Sequence, residues 1–202
     1  QVALGREVAV KVLRGDPDDR ATDALLREAL IAGRLEHPNV VPVYLLGRSD
    51  EGTPPFVIRR IEGVAWSEVL RDASAAPEMF SGVRDPLAFH LEVFMEVCGA
   101  VQFAHSKGIL HRDLKPDNVM LGAFREVYVV DWGLALSLAD DPQLPRASEA
   151  RGVVGTPAYI APEMAAANAA ALSPRTDVYL LGAVLYHVLT GAPPHAVGSL
   201  LQ

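Results

Sequence analysis

Two cations, two carboxylates and a carboxamide share one eight-residue loop, His111, Arg112, Asp113, Leu114, Lys115, Pro116, Asp117 and Asn118, set between the apolar runs 109–110 and 119–121. An Asp with an Asn five positions on and a Lys between them provides a proton acceptor, a hard oxygen ligand and a counter-charge for phosphate. For any two of these residues alone, a surface turn is the simpler reading. It does not account for all of them together.

The chain has 202 residues, 50% hydrophobic and 21% charged, enough to bury one or two packed lobes and too apolar for a disordered segment. A net charge of −7 argues against nucleic-acid partners, whose phosphates are gripped by excess Lys and Arg. The single cysteine, Cys98, can form no intrachain disulfide, which suits a reducing, cytoplasmic compartment. On an apolar helical stripe it is expected to be buried and inert. The longest apolar run, 178–189, is too short to span a bilayer and carries His187, so no membrane contact is expected of this segment. Lacking an initial Met, with Gln1 directly before a strand, the chain reads as a piece of a longer protein, which leaves open a membrane anchor elsewhere.

Residues 7–13 alternate as a strand from whose apolar surface Lys11 emerges. Residues 18–36 read as a helix in which Leu25, Glu28, Ala32 and Leu35 share one face, placing a carboxylate inside the buried stripe. A buried Glu requires a cation, and Lys11 is the nearest candidate in sequence. Strands are expected over 40–47 and 53–61, a connecting loop over 72–84, and a solvent-facing connection over 165–171. Asp85 and Pro86 open a helix whose repeat of Leu87, Leu91, Phe94, Cys98, Val101 and His105 marks its buried face until Gly108. His105 is read as a packed helix-end residue. The run 173–189, apolar on nearly every side, predicts a helix at the centre of a helical lobe, stopped by Gly191, Pro193 and Pro194.

Taken in order, Val8, Ala9, Val10 and Lys11, then Glu28, the loop 111–118, Asp131, Trp132 and Gly133, then Gly155, Thr156 and Pro157, then Ala161, Pro162 and Glu163 resemble a protein kinase domain. The likeness is strongest to the eukaryotic-like (Hanks-type) serine/threonine kinases of bacteria. It implies an α+β, two-lobed protein kinase-like fold: a small antiparallel β lobe with one helix and the hinge over residues 1–61, and a larger, mainly helical lobe over 62–202. Against the family pattern, the glycine-rich loop that covers the ATP phosphates would fall before Gln1, and the last helices of the large lobe after Gln202. A piece so cut could be inactive even where its parent is an enzyme.

The resemblance also implies roles. Asp113 would accept the proton of a substrate hydroxyl, and Lys115 would neutralise the phosphoryl group in transfer. Lys11, held by Glu28, would contact the α- and β-phosphates of ATP, and Asn118 and Asp131 would bind Mg²⁺, with Mn²⁺ as the alternative. Ala9 and Met120 would sandwich adenine, Ile58 would sit at the back of its pocket, and the backbone of Arg59 and Ile61 would bond the base; the paired Arg59 and Arg60 side chains read as solvated. Lys115 and Thr156 together point to Ser or Thr acceptors on proteins, the protein itself included.

Within the segment 131–163, Arg112 would pair with an added phosphate, for which Ser148, eight residues before Thr156, is the candidate; Glu149 beside it could partly replace that phosphate. His111 and Trp132, the latter where the family usually has Phe, read as packing residues of an apolar stack. Glu163 would anchor the segment through an Arg lying downstream of this chain. Asp177 would either hold the catalytic-loop backbone or be an ordinary first-turn helix acid. Two rival readings share the fold: a pseudokinase used as a binding module, and a small-molecule phosphotransferase. The first would be expected to have lost one of Lys11, Glu28, Asp113, Asn118 or Asp131, and the second lacks a reason for the peptide-docking stretch 155–163.

Overall fold

The computed structural model describes residues 5–13, 19–47, 55–78 and 85–195. Three short strands, β1 (Val8–Lys11), β2 (Val43–Leu46) and β3 (Phe56–Arg59), make an antiparallel sheet with β3 in the middle. The register sets Ala9 opposite Ile58 and Val8 opposite Arg59. Helix α1 (Asp19–Gly33) packs on β2 and β3 through the expected stripe, with Leu25, Glu28, Ala32 and Leu35 all buried together with Ile31. It ends earlier than the pattern predicts, and the chain tightens into bonds from Arg34 N–H to Ile31 O and from Leu35 N–H to Ala32 O. Residue 18 of the expected helix, 53–54 of the expected third strand and 79–84 of the expected loop lie outside the described residues.

Val40, expected within a strand, instead makes an isolated parallel bridge to Val129 and so joins the two halves of the molecule. Asn39 reinforces that join, its Nδ2 donating to Val127 O at 2.9 Å. After β3 the chain enters β4 (Gly63–Ala65), which pairs with β6 (Val119–Gly122), itself paired with β7 (Val127–Val129). A side chain at Gly63 would overlap Leu121 O, so only glycine permits this approach. Neither β4 nor the one-turn-and-a-half helix α2 (Trp66–Arg71) was expected, because elements this short carry no readable period. Trp66 is nevertheless fully buried.

Helix α3 (Pro86–Ser106) begins as its sequence predicts: Asp85 Oδ1 accepts from Leu87 and Ala88 N–H, and Pro86 occupies the first turn. Its buried face is rotated from the expected one, of whose residues Val101 is fully buried. Phe89, Val93, Val97, Ala100, Val101 and Ala104 turn inward against β7 and α5 (Pro174–Thr190), while Leu87 and Leu91 are exposed. The helix has several apolar stripes, and which one is buried is decided by its neighbours. Cys98 is half-buried, and burial pushes its thiol up, away from the reactive thiolate. Among the described residues α3 is also the one helix long and apolar enough, by length and composition, to cross a membrane; in this fold its inward stripe packs on protein.

Helix α5 likewise departs from the expectation of burial on every side. Thr176, Asp177, Leu180, Ala183 and Val184 are buried, whereas Val178, Tyr179, Tyr186 and Leu189 are exposed. It stops at Gly191, whose φ of 78° is a left-handed cap that glycine adopts without strain. Between these helices run β5 (Ile109–Leu110), paired with β8 (Leu136–Ser137), and the short α4 (Pro162–Ala165). The 165–171 stretch is largely exposed, as expected, and includes a 3₁₀ turn at Ala169–Ala171.

Candidate active site

The charged loop leaves β5 and returns through the 3₁₀ turn Pro116–Asn118 into β6, with apolar anchors at both ends: Leu110, Leu114, Val119 and Leu121 are all essentially inaccessible. Its backbone is held from beneath by Asp177 of α5. Oδ2 accepts from His111 N–H and Oδ1 from Arg112 N–H, each at 2.9 Å, and His105 Nε2 lies 2.8 Å from Oδ2. Asp177 thus serves the loop and is no ordinary helix-end acid. His105 is packed at the helix end, as expected, but its bond to Asp177 gives it a part in supporting the loop that sequence spacing did not show.

His111 is completely buried, its ring 4.5 Å from that of Trp132, the apolar stack the sequence suggests. It does more than pack. Nδ1 accepts from Asp113 N–H at 3.2 Å and Nε2 faces Val130 O at 3.2 Å, which requires the neutral ring with its proton on Nε2. Burial lowers its pKa, outweighing the opposing pull of Asp177, and favours that neutral form. Two non-glycine residues here, Arg112 (φ 68°) and Asp131 (φ 62°), occupy the left-handed region, a cost tolerated where side chains must be aimed.

The Asp113 carboxylate is the hub. Oδ1 accepts from Thr156 N–H (3.0 Å) and Oγ1 (2.7 Å), and Oδ2 accepts from Lys115 Nζ (2.8 Å) and Asn118 Nδ2 (3.0 Å). Lys115 Nζ donates in turn to Thr156 Oγ1 at 2.6 Å. A hydroxyl between this carboxylate and this ammonium has both a proton acceptor and a cation beside it. Asn118 gives its amide hydrogens to the carbonyl and carboxylate of Asp113, so that its Oδ1 is the atom that could take a cation. Asp131, exposed at the end of the β7 run, takes one bond from Gly133 N–H at 3.3 Å. Two hard oxygens on converging loops fit Mg²⁺, which keeps water and phosphate for its remaining positions. Among the described residues no group of three His, Cys, Asp or Glu side chains forms a metal cluster.

On the small-lobe side, Lys11 Nζ bonds both oxygens of Glu28, at 2.7 and 2.6 Å. Burial raises the Glu28 pKa, and Lys11 opposes that shift. Gly133 lies against both Asp131 and Glu28, so the pair meets the Asp131 loop. Ala9 and Ile58 face each other across β1 and β3, and Met120 lies on β6. Arg59 N–H already donates to Pro42 O at 3.0 Å, so a bond from Arg59 to a base falls to its carbonyl.

Arg112 is buried with Nε unpartnered, and its Nη1 makes a long bond to Leu134 O. It lines a cavity of 490 Å³ between α1 and the segment after Asp131, together with Arg27, Arg146, Arg151, Glu28 and Glu149. Ser148 is not brought to it. That side chain lines a separate 320 Å³ cavity with Leu138 and Leu172, because the 3₁₀ turn Ala147–Glu149 directs neighbouring residues to opposite sides. Glu163, expected to pair with a downstream Arg, here accepts from Thr176 Oγ1 at 2.6 Å. Tyr159 Oη lies 2.6 Å from His187 Nδ1, tying the 155–163 stretch to α5; burial pushes the phenol up to about 12. The sequence reading missed this pair, for which nothing in the spacing was a signal.

A strand Lys clamped by a helix Glu, a loop Asp flanked by Lys and Asn, and a second Asp at a strand end, set across two β-rich and helical halves, define a phosphoryl-transfer fold of the kinase class. The protein kinase domain model matches residues 1–199, and the chain belongs to that family. Curated relatives include the serine/threonine-protein kinase PknD of Chlamydia caviae, 38% identical over 94% of this chain and 22% of that protein. PknD of Protochlamydia amoebophila is 34% identical over 96% of this chain and 21% of that protein, and PknB of Mycobacterium leprae 35% over 96% and 30%. The chain therefore spans less than a third of the length of these relatives.

Proposed function

We propose that the protein carrying this chain transfers the γ-phosphoryl group of ATP to Ser or Thr hydroxyls of proteins, itself included. The observation that carries the reading is the Asp113 carboxylate with Lys115 and the Thr156 hydroxyl gathered on it. Thr156 Oγ1 stands where an acceptor hydroxyl would: it donates to the carboxylate and receives an N–H from the ammonium. In the reaction Asp113 orients the hydroxyl and takes its proton as the oxygen attacks the γ-phosphorus, the bond from that phosphorus to the β–γ bridging oxygen breaks, ADP leaves with the bond's electron pair, and Lys115 balances the charge on the group in transfer. Lys11 holds the α- and β-phosphates in a position set by Glu28. Ala9, Ile58 and Met120 enclose the base, which bonds the backbone of Arg59 and Ile61. Asn118 Oδ1 and Asp131 would hold a divalent cation, Mg²⁺ or Mn²⁺, which would neutralise phosphate charge. The fold works as a soluble, cytoplasmic unit.

The test is transfer of labelled γ-phosphate from Mg²⁺-ATP by the full-length protein and by Asp113→Asn. Label on Ser or Thr that disappears in the variant supports the kinase reading. A folded protein that binds nucleotide but transfers nothing supports the pseudokinase.

For regulation, Ser148 is the proposed phosphorylation site, reaching Arg112 by rotation of the Ala147–Glu149 turn; Glu149 already occupies the Arg112 cavity and lessens the need for phosphate. Mass spectrometry of active protein and the activity of Ser148→Ala test this, and an unphosphorylated Ser148 with unchanged activity in the variant overturns it.

A further inference from the structure

Adenine recognition as read above uses only the backbone of Arg59, leaving the side chains of two adjacent arginines unexplained. They are not simply solvated. Arg60 pairs with Glu7, ahead of β1, and lies 3.7 Å from Glu62. Arg59 reaches the other way, from the end of β3 to the β6–β7 turn, where its Nη2 bonds Glu126 Oε1 at 2.9 Å. Its guanidinium carbon also stands 5.6 Å from the centroid of the Tyr128 ring.

The receiving side is prepared. Glu126 Oε2 accepts from Phe124 N–H at 2.8 Å, and Glu126 O accepts from Gly122 N–H at 2.8 Å. The carboxylate folds back over Gly122, where any side chain would overlap it. Tyr128 is buried and is the cross-strand partner of Met120. Arg59 is therefore tied, through Glu126 and Tyr128, to the hairpin that carries Met120.

We propose that the Arg59–Glu126 pair, seated on Tyr128, is an inter-lobe latch that positions the hinge backbone relative to Met120 and so sets the affinity for adenine nucleotides. The inference rests on the kinase reading of the cleft. Both groups are partly exposed, so the pair contributes little to folding and acts as a positioning device.

The test uses the full-length protein with Glu126→Gln, Arg59→Gln, their double variant, and the charge-swapped double variant of Arg59→Glu with Glu126→Arg. Calorimetric Kd for a non-hydrolysable adenine nucleotide is read beside KM for ATP and the melting temperature. Glu126→Gln is expected to raise Kd and KM about three- to tenfold with kcat held within about twofold, and the double variant to be no worse than either single. The swapped pair is expected to recover to within about twofold of wild type. Arg59→Lys, which keeps charge but loses the fork and the ring contact, gives an intermediate value and serves if a glutamine variant fails to fold.

Unchanged Kd and KM in Glu126→Gln, or single effects that multiply in the double variant, overturn the latch while leaving the kinase reading in place. A wild-type protein that binds no adenine nucleotide overturns both.

Discussion

The loop 111–118 and the Lys11–Glu28 clamp carry charges of comparable importance to the proposed reaction but are built in contrasting ways. In the loop every anchor is buried, and Asp113 and Asp177 each receive several hydrogen bonds from fixed donors. The clamp joins a four-residue strand to a helix across the small sheet; Lys11 is 46% exposed along its side chain, and its neighbours Val10 and Val12 are exposed too. Loop geometry is a property of the large-lobe core. Clamp geometry is a property of how α1 sits, and Arg34, directly after α1, bonds Asp141 and, at 2.7 Å, Gln143 in the segment after Asp131. One set of charges is thus held by buried anchors within a single core, and the other by a half-exposed lysine that reaches from a strand to a helix.

Four measurements would sharpen or break that contrast. Asp113→Asn should reduce phosphoryl transfer by about 10²–10⁴-fold while keeping the fold, since the amide preserves the shape of the hub; steady-state kinetics beside a melting curve reads both, and a variant that unfolds would mean the hub is structural. Asp177→Ala should lower stability by about 3–5 kcal/mol, because it leaves two buried backbone N–H groups without an acceptor. Denaturant titration checks it, with Asp177→Asn expected to lose less because one oxygen remains.

Glu28→Gln should behave oppositely, losing about 10²-fold in activity through misplacement of Lys11 while changing stability by less than about 1 kcal/mol. The small stability change follows because removing a carboxylate from a buried place offsets most of the lost pair. A stability loss matching that of Asp177→Ala would erase the contrast.

The smallest effect is in pH. The His111 pKa is lowered in the fold, chiefly by burial, so the unfolded chain binds more protons; its contribution is complete above about 6.5 and is lost as pH falls towards the folded value. Glu28, raised by burial, has the opposite sign: its contribution is present below its ordinary value of 4.5 and is lost as pH rises through the higher folded value. Stability measured from pH 7 to 5 should therefore fall less steeply in His111→Phe than in wild type, the shared effects of His90 and His187 cancelling in the difference.

Much of the site was legible before the fold. Lys11 and Glu28 were paired from a strand alternation and a helical stripe, because a charge inside an apolar period needs a partner and the partner must be of opposite sign. Asp85, Pro86 and Gly191 marked helix ends through local geometry alone. What stayed hidden involved choices among equals. In α3 several apolar stripes compete, and contacts with β7 and α5 selected the one through Phe89, Val93 and Val97. Ser148 and Glu149 are adjacent in sequence but line different cavities, which no spacing argument separates. Tyr159 and His187, 28 residues apart, and Arg59 and Glu126, 67 apart, meet only because the chain returns.

By itself, then, the sequence determined the helix ends and the pairing of a buried carboxylate with a lysine, which follow from local period, capping and the cost of burying charge, while the class of fold came from the order of its motifs, which resembles that of protein kinases. The tertiary structure decided which stripe of α3 is buried, that Asp177 and His105 stand beneath the loop 111–118, and that Arg59 reaches the β6–β7 turn. These depend on contacts between residues far apart in the chain, where the outcome is set by which of several similar surfaces meets a complementary one.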